Sequence, residues 1–397
     1  MIYATLTSTT SVNVASGCSF SKTYTATAQA DLDSLASCDA IKGDVYITGD
    51  LGTGSIANVK AIYGDLIISN ATELASFAAD SIAAISGELK LESLTILSEL
   101  SMGSLNSVGA INWVTLPALI DTGLTQVTDC NSIYISDTQL SSLDGLNPIN
   151  VETYNINNNL NLASIDSEIQ TISQALSISH NGDETELVFD ELQWANNLTF
   201  YSVSSISMSS LQSINESAGF FESSVEALKF PLVTKVGGDL TIENNEDLQE
   251  LDFGNLTSIG GGLVIENNTE LKSIENFDDL KSVTGAVVLV GEFDNCTMSD
   301  LKTVRGAFEV DTTGDFDCTD FNKLAKQGNI QGDFECKAST SSSSISGSKT
   351  SSSTSSEGSD SSSSTASSSS SKGDAANIAV NCAPIWGTFA AFVVALL

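Results

Sequence analysis

Two stretches of the chain repeat one pattern of hydrophobic and polar positions with a period of 23 residues. In the stretch that begins at Val236, apolar residues follow at +4, +6, +12 and +15, with glycine at +2 and asparagine at +9. The stretch that begins at Ile259 has the same residue types at the same positions. A fixed period of this size is typical of a solenoid, in which each repeat buries its apolar face by stacking on its neighbours.

Further copies extend this pattern in both directions. Clear copies begin at Ile41, Ile62, Ile85, Ile172, Val283 and Val304, and blurred copies lie near Val127, Asn150, Trp194 and Ile214. The first and last clear starts are separated by 263 residues. Twelve steps over that span give about 22 residues each, which lies within the range of leucine-rich repeats.

The spacing inside each copy predicts strands. Apolar residues at the start, +4 and +6 form a strand with one inward face, and the intervening segments are short and rich in Ser, Thr, Asn and Asp. We therefore expect a mostly β fold, a parallel β solenoid of about 58 Å at about 4.8 Å per rung. Asn159, Asn181, Asn245 and Asn268 are predicted to lie at or near the same turn and to bond the backbone of adjacent rungs.

The composition divides the chain into six segments. Residues 1–17 have neither the basic start nor the apolar block of a secretory signal, so we expect a signal peptide that is missing or truncated. The alternative is a protein that is not secreted. The remaining segments are an N-terminal cap (18–40, with a short helix around Leu32 and Leu35), the repeat solenoid (41–317), a C-terminal cap (318–338), a disordered Ser-rich stalk (339–372) and a GPI-attachment signal (373–397).

The seven cysteines include two pairs that bracket the array. Cys18 with Cys38 and Cys318 with Cys336 are expected to form disulfides that close the caps, which implies an oxidising compartment. Buried free thiols are the alternative. Cys130 and Cys296 lie about seven rungs apart, too far for a disulfide. Each is expected to be a buried free thiol, although Cys296 could compete for Cys318.

The C-terminus has the residue order of a GPI-attachment signal. Small residues at 373–376 precede a short spacer and an apolar tail that runs from Ile385 to Leu397. These thirteen residues are fewer than the roughly 20 that span a bilayer. Asp374 is the preferred attachment site and Gly373 the next, and Cys382 would be removed with the tail. A disordered tail with an accidental apolar end is the alternative.

Charge and motifs exclude several functions. Fifty Asp and Glu residues against fifteen Lys and Arg give a net charge of −35, which repels nucleic acid. The single histidine, His180, lies in a polar turn, where a surface position is favoured over a Ser-His-Asp triad. The sequence contains neither a phosphate-binding GxxxxGK nor an HExxH motif. We expect no catalytic residue, metal or cofactor.

Six Asn-x-Ser/Thr sequons are candidate N-glycosylation sites. Asn70 and Asn267 lie at +8 of their copies, one residue before the ladder position, where a side chain can point outward. The sequon of Asn295 contains Cys296 and is the weakest of the six. The full set is Asn70, Asn197, Asn215, Asn255, Asn267 and Asn295.

These motifs together resemble a known family. The repeated I-x-G-D-L-x-I and I-E-N-N-x-x-L, the F-D-C and G-D-F-E-C ending, the serine stretch and the anchor signal are similar to those of fungal GPI-anchored cell-wall organisation proteins of the sporulation-specific and extracellular-mutant type. The likeness covers residues 18–397. It implies a right-handed solenoid of the leucine-rich-repeat or receptor L-domain type. This chain departs from the family in its N-terminus and in Cys296.

The resemblance also implies a function and a location. We expect a non-enzymatic extracellular glycoprotein, held at the outer leaflet of the plasma membrane or in the wall, that is needed for cell-wall organisation and integrity. Its implied partners are wall polysaccharide or wall proteins, and the membrane through a GPI lipid. One alternative is an adhesin or receptor-like module that binds a glycan or protein. Another is a β-helix enzyme that acts on polysaccharide, which the scarcity of basic residues disfavours.

Overall fold

The computed structural model describes residues 14–182 and 185–347, which form strands with two short α-helices. The first part contains β1 (Tyr24–Ala26), α1 (Gln29–Ser34), β2 (Ala40–Lys42), β3 (Val45–Ile47), β4 (Thr53–Ser55), β5 (Ala61–Tyr63), β6 (Leu66–Ser69), β7 (Ser76–Ala78), β8 (Ala84–Glu92), β9 (Glu99–Ser101) and β10 (Ser107–Leu116). The middle contains β11 (Asp129–Thr138), β12 (Asn150–Asn157), β13 (Ser164–Asp166), β14 (Thr171–Ser179), β15 (Glu186–Val188), β16 (Trp194–Tyr201), β17 (Ser205–Ser207), β18 (Ser213–Ile214), β19 (Ala218–Phe221) and β20 (Ala227–Lys229). The last part contains β21 (Lys235–Val236), β22 (Leu240–Glu243), β23 (Glu250–Asp252), β24 (Ser258–Ile259), β25 (Leu263–Glu266), β26 (Ser273–Ile274), β27 (Ser282–Val283), β28 (Val287–Gly291), β29 (Asn295–Cys296), β30 (Thr303–Val304), β31 (Phe308–Thr312), α2 (Thr319–Lys326), β32 (Phe334–Lys337) and β33 (Ser342–Ile345).

Successive coils pair in parallel along one main sheet, so the expected parallel β solenoid is confirmed. Each coil contributes a start residue that lies beside the start residue of the next coil, as Ile41 lies beside Ile62 and Val236 beside Ile259. The starts are Ile41, Ile62, Ile85, Val108, Cys130, Val151, Ile172, Ala195, Ile214, Val236, Ile259, Val283 and Val304. Twelve steps therefore separate Ile41 from Val304, as predicted.

Most of the blurred copies begin slightly later than the sequence indicated. The structure has them at Cys130, Val151, Ala195 and Ile214, where the pattern suggested Val127, Asn150, Trp194 and Ile214. The two strand residues that point inward form the inward pair of a coil. In the first three of these coils the inward pair lies at +3 and +5 instead of +4 and +6, as Ile133 and Ile135 do after Cys130. The sheet accommodates the missing residue by a register shift, for example between Val151 and Thr153.

Glycine at +2 allows neighbouring coils to approach each other at a bend. A Cβ atom on Gly285 would lie 2.6 Å from the backbone nitrogen of Gly262 and 2.7 Å from the carbonyl carbon of Gly261. A Cβ atom on Gly306 would meet the backbone of Gly285 in the same way. Because backbone atoms cannot yield as a flexible side chain can, these positions accept only glycine.

The core fills the space that the coils enclose. The start residue and the two inward strand residues that follow it are almost completely buried in every coil, as are Leu248 and Leu271 at +12. On another side, Phe230, Phe253 and Phe277 stack with ring centroids 5.3 Å apart. Burial of each such side chain contributes about 1.5–3 kcal/mol, and each ring is covered only because its neighbours are present.

The predicted asparagine ladder is confirmed as two separate ladders of buried side chains. The backbone N–H and side-chain Nδ2 of Asn245 donate to Oδ1 of Asn268 at 3.0 and 3.1 Å, and Nδ2 of Asn268 donates to the carbonyl oxygen of Ile242 at 3.0 Å. Asn159 donates to Oδ1 of Asn181 at 3.1 and 3.0 Å in the same way. The amides thus satisfy backbone groups at a corner where the main chain cannot pair with itself.

The N-terminal end of the solenoid is closed by a helix, a strand and a disulfide. The short helix α1 forms as expected and buries Leu32, while Leu35 is buried just beyond it. The Asp31 carboxylate accepts hydrogen bonds from the N–H groups of Thr27 and Ala28 at 2.9 and 3.0 Å, which fixes the start of the helix. Strand β1 pairs with β3 and extends the main sheet.

The C-terminal end is closed by α2 and by a strand that the sequence did not predict. Phe321 and Ala325 of α2 are buried, and Phe321 packs against Phe308 of the last coil with ring centroids 4.7 Å apart. Strand β32 adds one more parallel strand, and β33 then pairs with it in the antiparallel direction. The short, polar β33 thereby forms the last edge of the main sheet among the described residues.

The expectation that disorder begins at residue 339 is wrong for its first residues. Ser342–Ile345 forms β33, because its backbone groups pair with the free edge of β32, and the N–H of Gly347 donates to Asp333 at 2.8 Å. Composition alone overlooks this pairing, since an edge strand needs few apolar side chains. Residues 1–13 and 348–397 lie outside the described residues, and with them the rest of the stalk and both anchor candidates, Gly373 and Asp374.

Candidate functional site

Both cap disulfides are present, and the two remaining cysteines of the described chain are unbonded. The Cα atoms of Cys18 and Cys38 are 5.8 Å apart, and those of Cys318 and Cys336 are 6.1 Å apart. Cys318 is therefore bonded to Cys336 and not to Cys296. These bonds tie each cap to itself across 20 and 18 residues. Each stabilises its cap by roughly 3 kcal/mol, mainly through the unfolded state.

The two free thiols have structural positions. Cys130 is a start residue and is buried, and burial raises the pKa of its thiol to about 12. Cys296 lies beside Ile274 in a side strand, and desolvation followed by the nearby Asp278 raises its pKa as well. Cys130 is the buried free thiol that was expected, whereas Cys296 is partly exposed. A thiol with a raised pKa is a poor nucleophile, so neither cysteine is suited to catalysis.

Five of the six sequon asparagines are exposed: Asn70, Asn215, Asn255, Asn267 and Asn295. Asn70 and Asn267 occupy the same corner of different coils with φ of 56°, one residue before the ladder position. Asn197 is half-buried on the outward face of β16, and its Nδ2 donates to the Glu216 carboxylate at 2.6 Å. Exposure is necessary for glycosylation, and occupancy of the six sites stays a prediction.

His180 lies at the same corner and belongs to an aromatic stack. It is exposed, has φ of 52°, and stacks on Tyr201 with ring centroids 5.8 Å apart. Tyr201 in turn stacks on Phe221 at 4.7 Å. Desolvation, together with Glu222 and Glu243, raises the pKa of Tyr201. Among the described residues His180 forms no hydrogen bond to a serine or carboxylate, so this arrangement is a surface turn and not a triad.

Several carboxylates with lowered pKa values serve the turns between coils. Asp80 accepts hydrogen bonds from the hydroxyl of Ser101 and the N–H of Gly103. Both bonds lower the pKa of Asp80, and the bond from Ser101 has the larger effect. Asp190 does the same with Ser207 and Ser209. Each of these two carboxylates links one coil to the next, which is a structural role.

The outward face of the main sheet changes in character along the solenoid. In the later coils it carries carboxylates among neutral residues: Glu243 and Glu266 lie side by side in β22 and β25, and Val288 and Val290 follow on β28. Desolvation and then the charges of Glu243 and Glu309 raise the pKa of Glu266. No basic side chain pairs with Glu266 among the residues that the structure describes. The repulsion is a cost that the fold carries there.

In the central coils the same face carries no charge. On β10, β11, β12 and β14 the outward positions form three rows, and we call these twelve residues the neutral face. The rows are Ala110–Ser132–Thr153–Ala175, Asn112–Tyr134–Asn155–Ser177 and Val114–Ser136–Asn157–Ser179. All are half-buried except the buried Ser136. Sequence reasoning missed this face, because it emerges only when the coils are aligned in register.

A concave surface lies on another side of the solenoid, where β17 and β20 of successive coils do not pair. It encloses about 670 Å³ and is lined mainly by serines, with Met208, Glu226 and Lys229. Two carboxylates aimed at a common point, as glycoside hydrolysis requires, are not part of this lining. The two described helices contain six and eight residues, and neither is long enough to span a membrane.

Comparison with known proteins gives relatives along most of the chain. Over 321 residues the chain is 40% identical to the cell wall mannoprotein PST1 of Saccharomyces cerevisiae, which covers 80% of this chain and 72% of that protein. It is 36% identical over 354 residues to the cell surface GPI-anchored protein ECM33 of Candida albicans, covering 87% and 85%. It is 29% identical over 319 residues to sporulation-specific protein 2 of S. cerevisiae, covering 78% and 63%.

The chain belongs to the fungal ECM33 and sporulation-specific family of cell-wall proteins. The family resemblance drawn from the repeat motifs is thereby confirmed. No family model and no solved structure matches the chain. As a member of this family, the protein is a cell-wall-associated glycoprotein located outside the cell, at the outer leaflet of the plasma membrane and in the wall.

Proposed function

We propose that this family member is a non-enzymatic scaffold that maintains the organisation and integrity of the fungal cell wall. The observation that carries the proposal is the structural use of its chemically active groups. The perturbed aspartates join coils, the buried asparagines complete corners, and the free thiols have raised pKa values. A surface built in this way can hold and space wall components without transforming them.

The attachment to the cell surface is the second part of the proposal. The GPI signal at residues 373–397, with Asp374 as the preferred site, would join the solenoid to a lipid through the serine stretch. The name of the Candida albicans relative, a cell surface GPI-anchored protein, supports this arrangement. Mass spectrometry of the C-terminal peptide of the native protein tests it: a lipid remnant on Asp374 or Gly373 is expected, and an intact Leu397 would contradict it.

Deletion of the gene tests the integrity role. Cells without the protein should become sensitive to dyes that bind nascent wall polysaccharide, and reintroduction of the gene should restore tolerance. Unchanged tolerance after deletion would count against the proposal. Incubation of the purified protein with wall glucans separates it from the enzyme alternative, because release of soluble sugar would show catalysis.

A further inference from the structure

We propose that the neutral face of the central coils is a binding surface for an extended, uncharged glucan chain. This goes beyond the integrity role, because it assigns a ligand class and a location on the solenoid. It depends on the extracellular location of the protein and not on the phenotype of a deletion. Four observations on this face carry the argument.

The first observation is the absence of charge. The chain has a net charge of −35, yet the twelve residues of the neutral face include no Asp, Glu, Lys or Arg. Charges border the face, with Glu88 and Lys90 on the preceding strand and Glu152 near the start of β12. An uncharged patch on so acidic a protein suits a neutral ligand better than an anion, since nearby carboxylates would repel negative charge.

The second observation is a supply of hydrogen-bonding groups. Within the described residues, the hydroxyls of Tyr134, Ser177 and Ser179 bond to no other protein group, and neither does the hydroxyl of Thr199, which continues the middle row on β16. Part of the polar set is engaged internally: Asn112 donates to the Glu88 carboxylate at 2.8 Å, and Ser136 and Asn155 bond to Asn157. Neutral hydroxyls and amides are the natural partners of sugar hydroxyls, because they can both donate and accept without a charge to desolvate.

The third observation is the regular spacing of these groups. The middle row places Asn112, Tyr134, Asn155 and Ser177 on adjacent parallel strands, about 4.8 Å apart. This spacing is close to the length of one pyranose ring, so an extended chain along the row would meet one polar side chain per sugar. The ring of Tyr134 offers an apolar surface for the C–H face of a sugar, together with a polar tip.

The fourth observation concerns the size of the face and what surrounds it. Four strands and five residues along each strand give roughly 300 Å², well below the roughly 800 Å² per partner of a stable protein interface. A linear oligosaccharide needs less area. None of the twelve residues belongs to a sequon; the nearest candidate, Asn197, lies beside Ala175 at the border of the face.

These properties favour a plain glucan over other wall polymers. A phosphorylated mannan carries negative charge, which the acidic protein would repel. The face has small side chains and one aromatic ring, and it lacks the apolar pockets that the acetyl groups of chitin would fill. A second copy of the chain would need more contact area than the face provides.

The test measures binding of the intact protein, extracted in detergent from the cells that express it, to insoluble linear β-glucan. Ser177→Glu places a charge in the middle row, and its matched control, Thr241→Glu, places one in the same row on the acidic part of the sheet. We expect Ser177→Glu to weaken binding about tenfold or more, since a charge would have to be desolvated against the ligand. Thr241→Glu should bind within about twofold of the unmodified protein.

Tyr134→Ser provides a second variant that adds no charge, and it should also weaken binding. If thermal unfolding shows that Ser177→Glu is not folded, the binding of Tyr134→Ser tests the proposal in its place. The proposal is overturned if the unmodified protein does not bind β-glucan, if it binds only chitin or mannan, or if the variants bind as the unmodified protein does. Loss of a dimer in Ser177→Glu by light scattering would instead assign the face to self-association.

Discussion

The central coils and the coils that follow them share one core but differ in their strands and in their outward surface. In the central coils, β10, β11, β12, β14 and β16 each run without interruption over eight to ten residues. In the later coils, a bend at Gly261 or Gly285 divides the same segment into two short strands. The outward face carries no charge on the neutral face of the first group, whereas in the second it includes carboxylates such as Glu243 and Glu266.

The comparison shows which positions the fold requires and which it leaves free. Inward residues and corner asparagines recur in both groups. Every coil must cover the apolar side chains of its neighbours, and the backbone groups at its corner need hydrogen-bond partners. The outward positions face solvent and carry no such requirement. The neutral set in the centre is therefore not fixed by the core, and the proposed ligand would give it a function.

The largest effect is expected at the corners that both groups share. Asn268→Leu leaves two donors of Asn245 and the carbonyl of Ile242 without partners, at a cost of about 4 kcal/mol in the free energy of unfolding. Asn159→Leu should cost a similar amount in the central ladder. Urea denaturation measures both, and exposed Asn161→Leu, which should change little, is the control. A much smaller cost in one ladder would show that the two groups do not share this corner.

A somewhat smaller effect is expected at the bend that distinguishes the later coils. Gly285→Ala forces a Cβ atom against the backbone of Gly261 and Gly262 and should cost about 3 kcal/mol. Gly254→Ala is the matched control, because its Cβ would meet only a side-chain oxygen of Asp252, at 3.4 Å. Thermal unfolding of the two variants compares them directly. Equal stability would mean that the coils can separate at the bend without cost.

The smallest effect is expected at the neighbouring carboxylates of the later coils. Glu266→Gln removes the repulsion from Glu243 and should stabilise the protein by about 0.5 kcal/mol at neutral pH and low salt. Folding raises the pKa of Glu266, so its penalty is absent below the ordinary pKa of 4.5 and is complete once the pH exceeds the raised value. The gain should therefore disappear in acid. A gain that persists at low pH would point to packing instead of charge.

The sequence predicted the fold well where the repeat is regular. Val236 and Ile259 defined the coil, and the asparagine ladder followed from the position of Asn245 and Asn268. The copies at Cys130, Val151 and Ala195 were blurred because they lack one residue before the inward pair, which a search with one fixed spacing misses. Strand β33 was missed because edge pairing depends on the free edge of β32 and not on the composition of Ser342–Ile345.

The candidate surface was less predictable than the fold. Tyr134, Asn155 and Ser177 are separated by more than twenty residues from one to the next, so nothing in the linear sequence groups them. Only the register of β11, β12 and β14 brings them into one row. Sequons and the anchor signal are local motifs, by contrast, and could be read directly.

The most direct test of the account is complementation of the deletion strain with paired variants. Protein with Ser177→Glu on the neutral face and protein with Thr241→Glu on the acidic part of the sheet would be expressed in place of the unmodified chain, with surface amounts matched by antibody staining. The account predicts that Thr241→Glu restores tolerance to wall-binding dyes and that Ser177→Glu does not. Equal restoration of dye tolerance by both variants would contradict a role of the neutral face in cell-wall integrity.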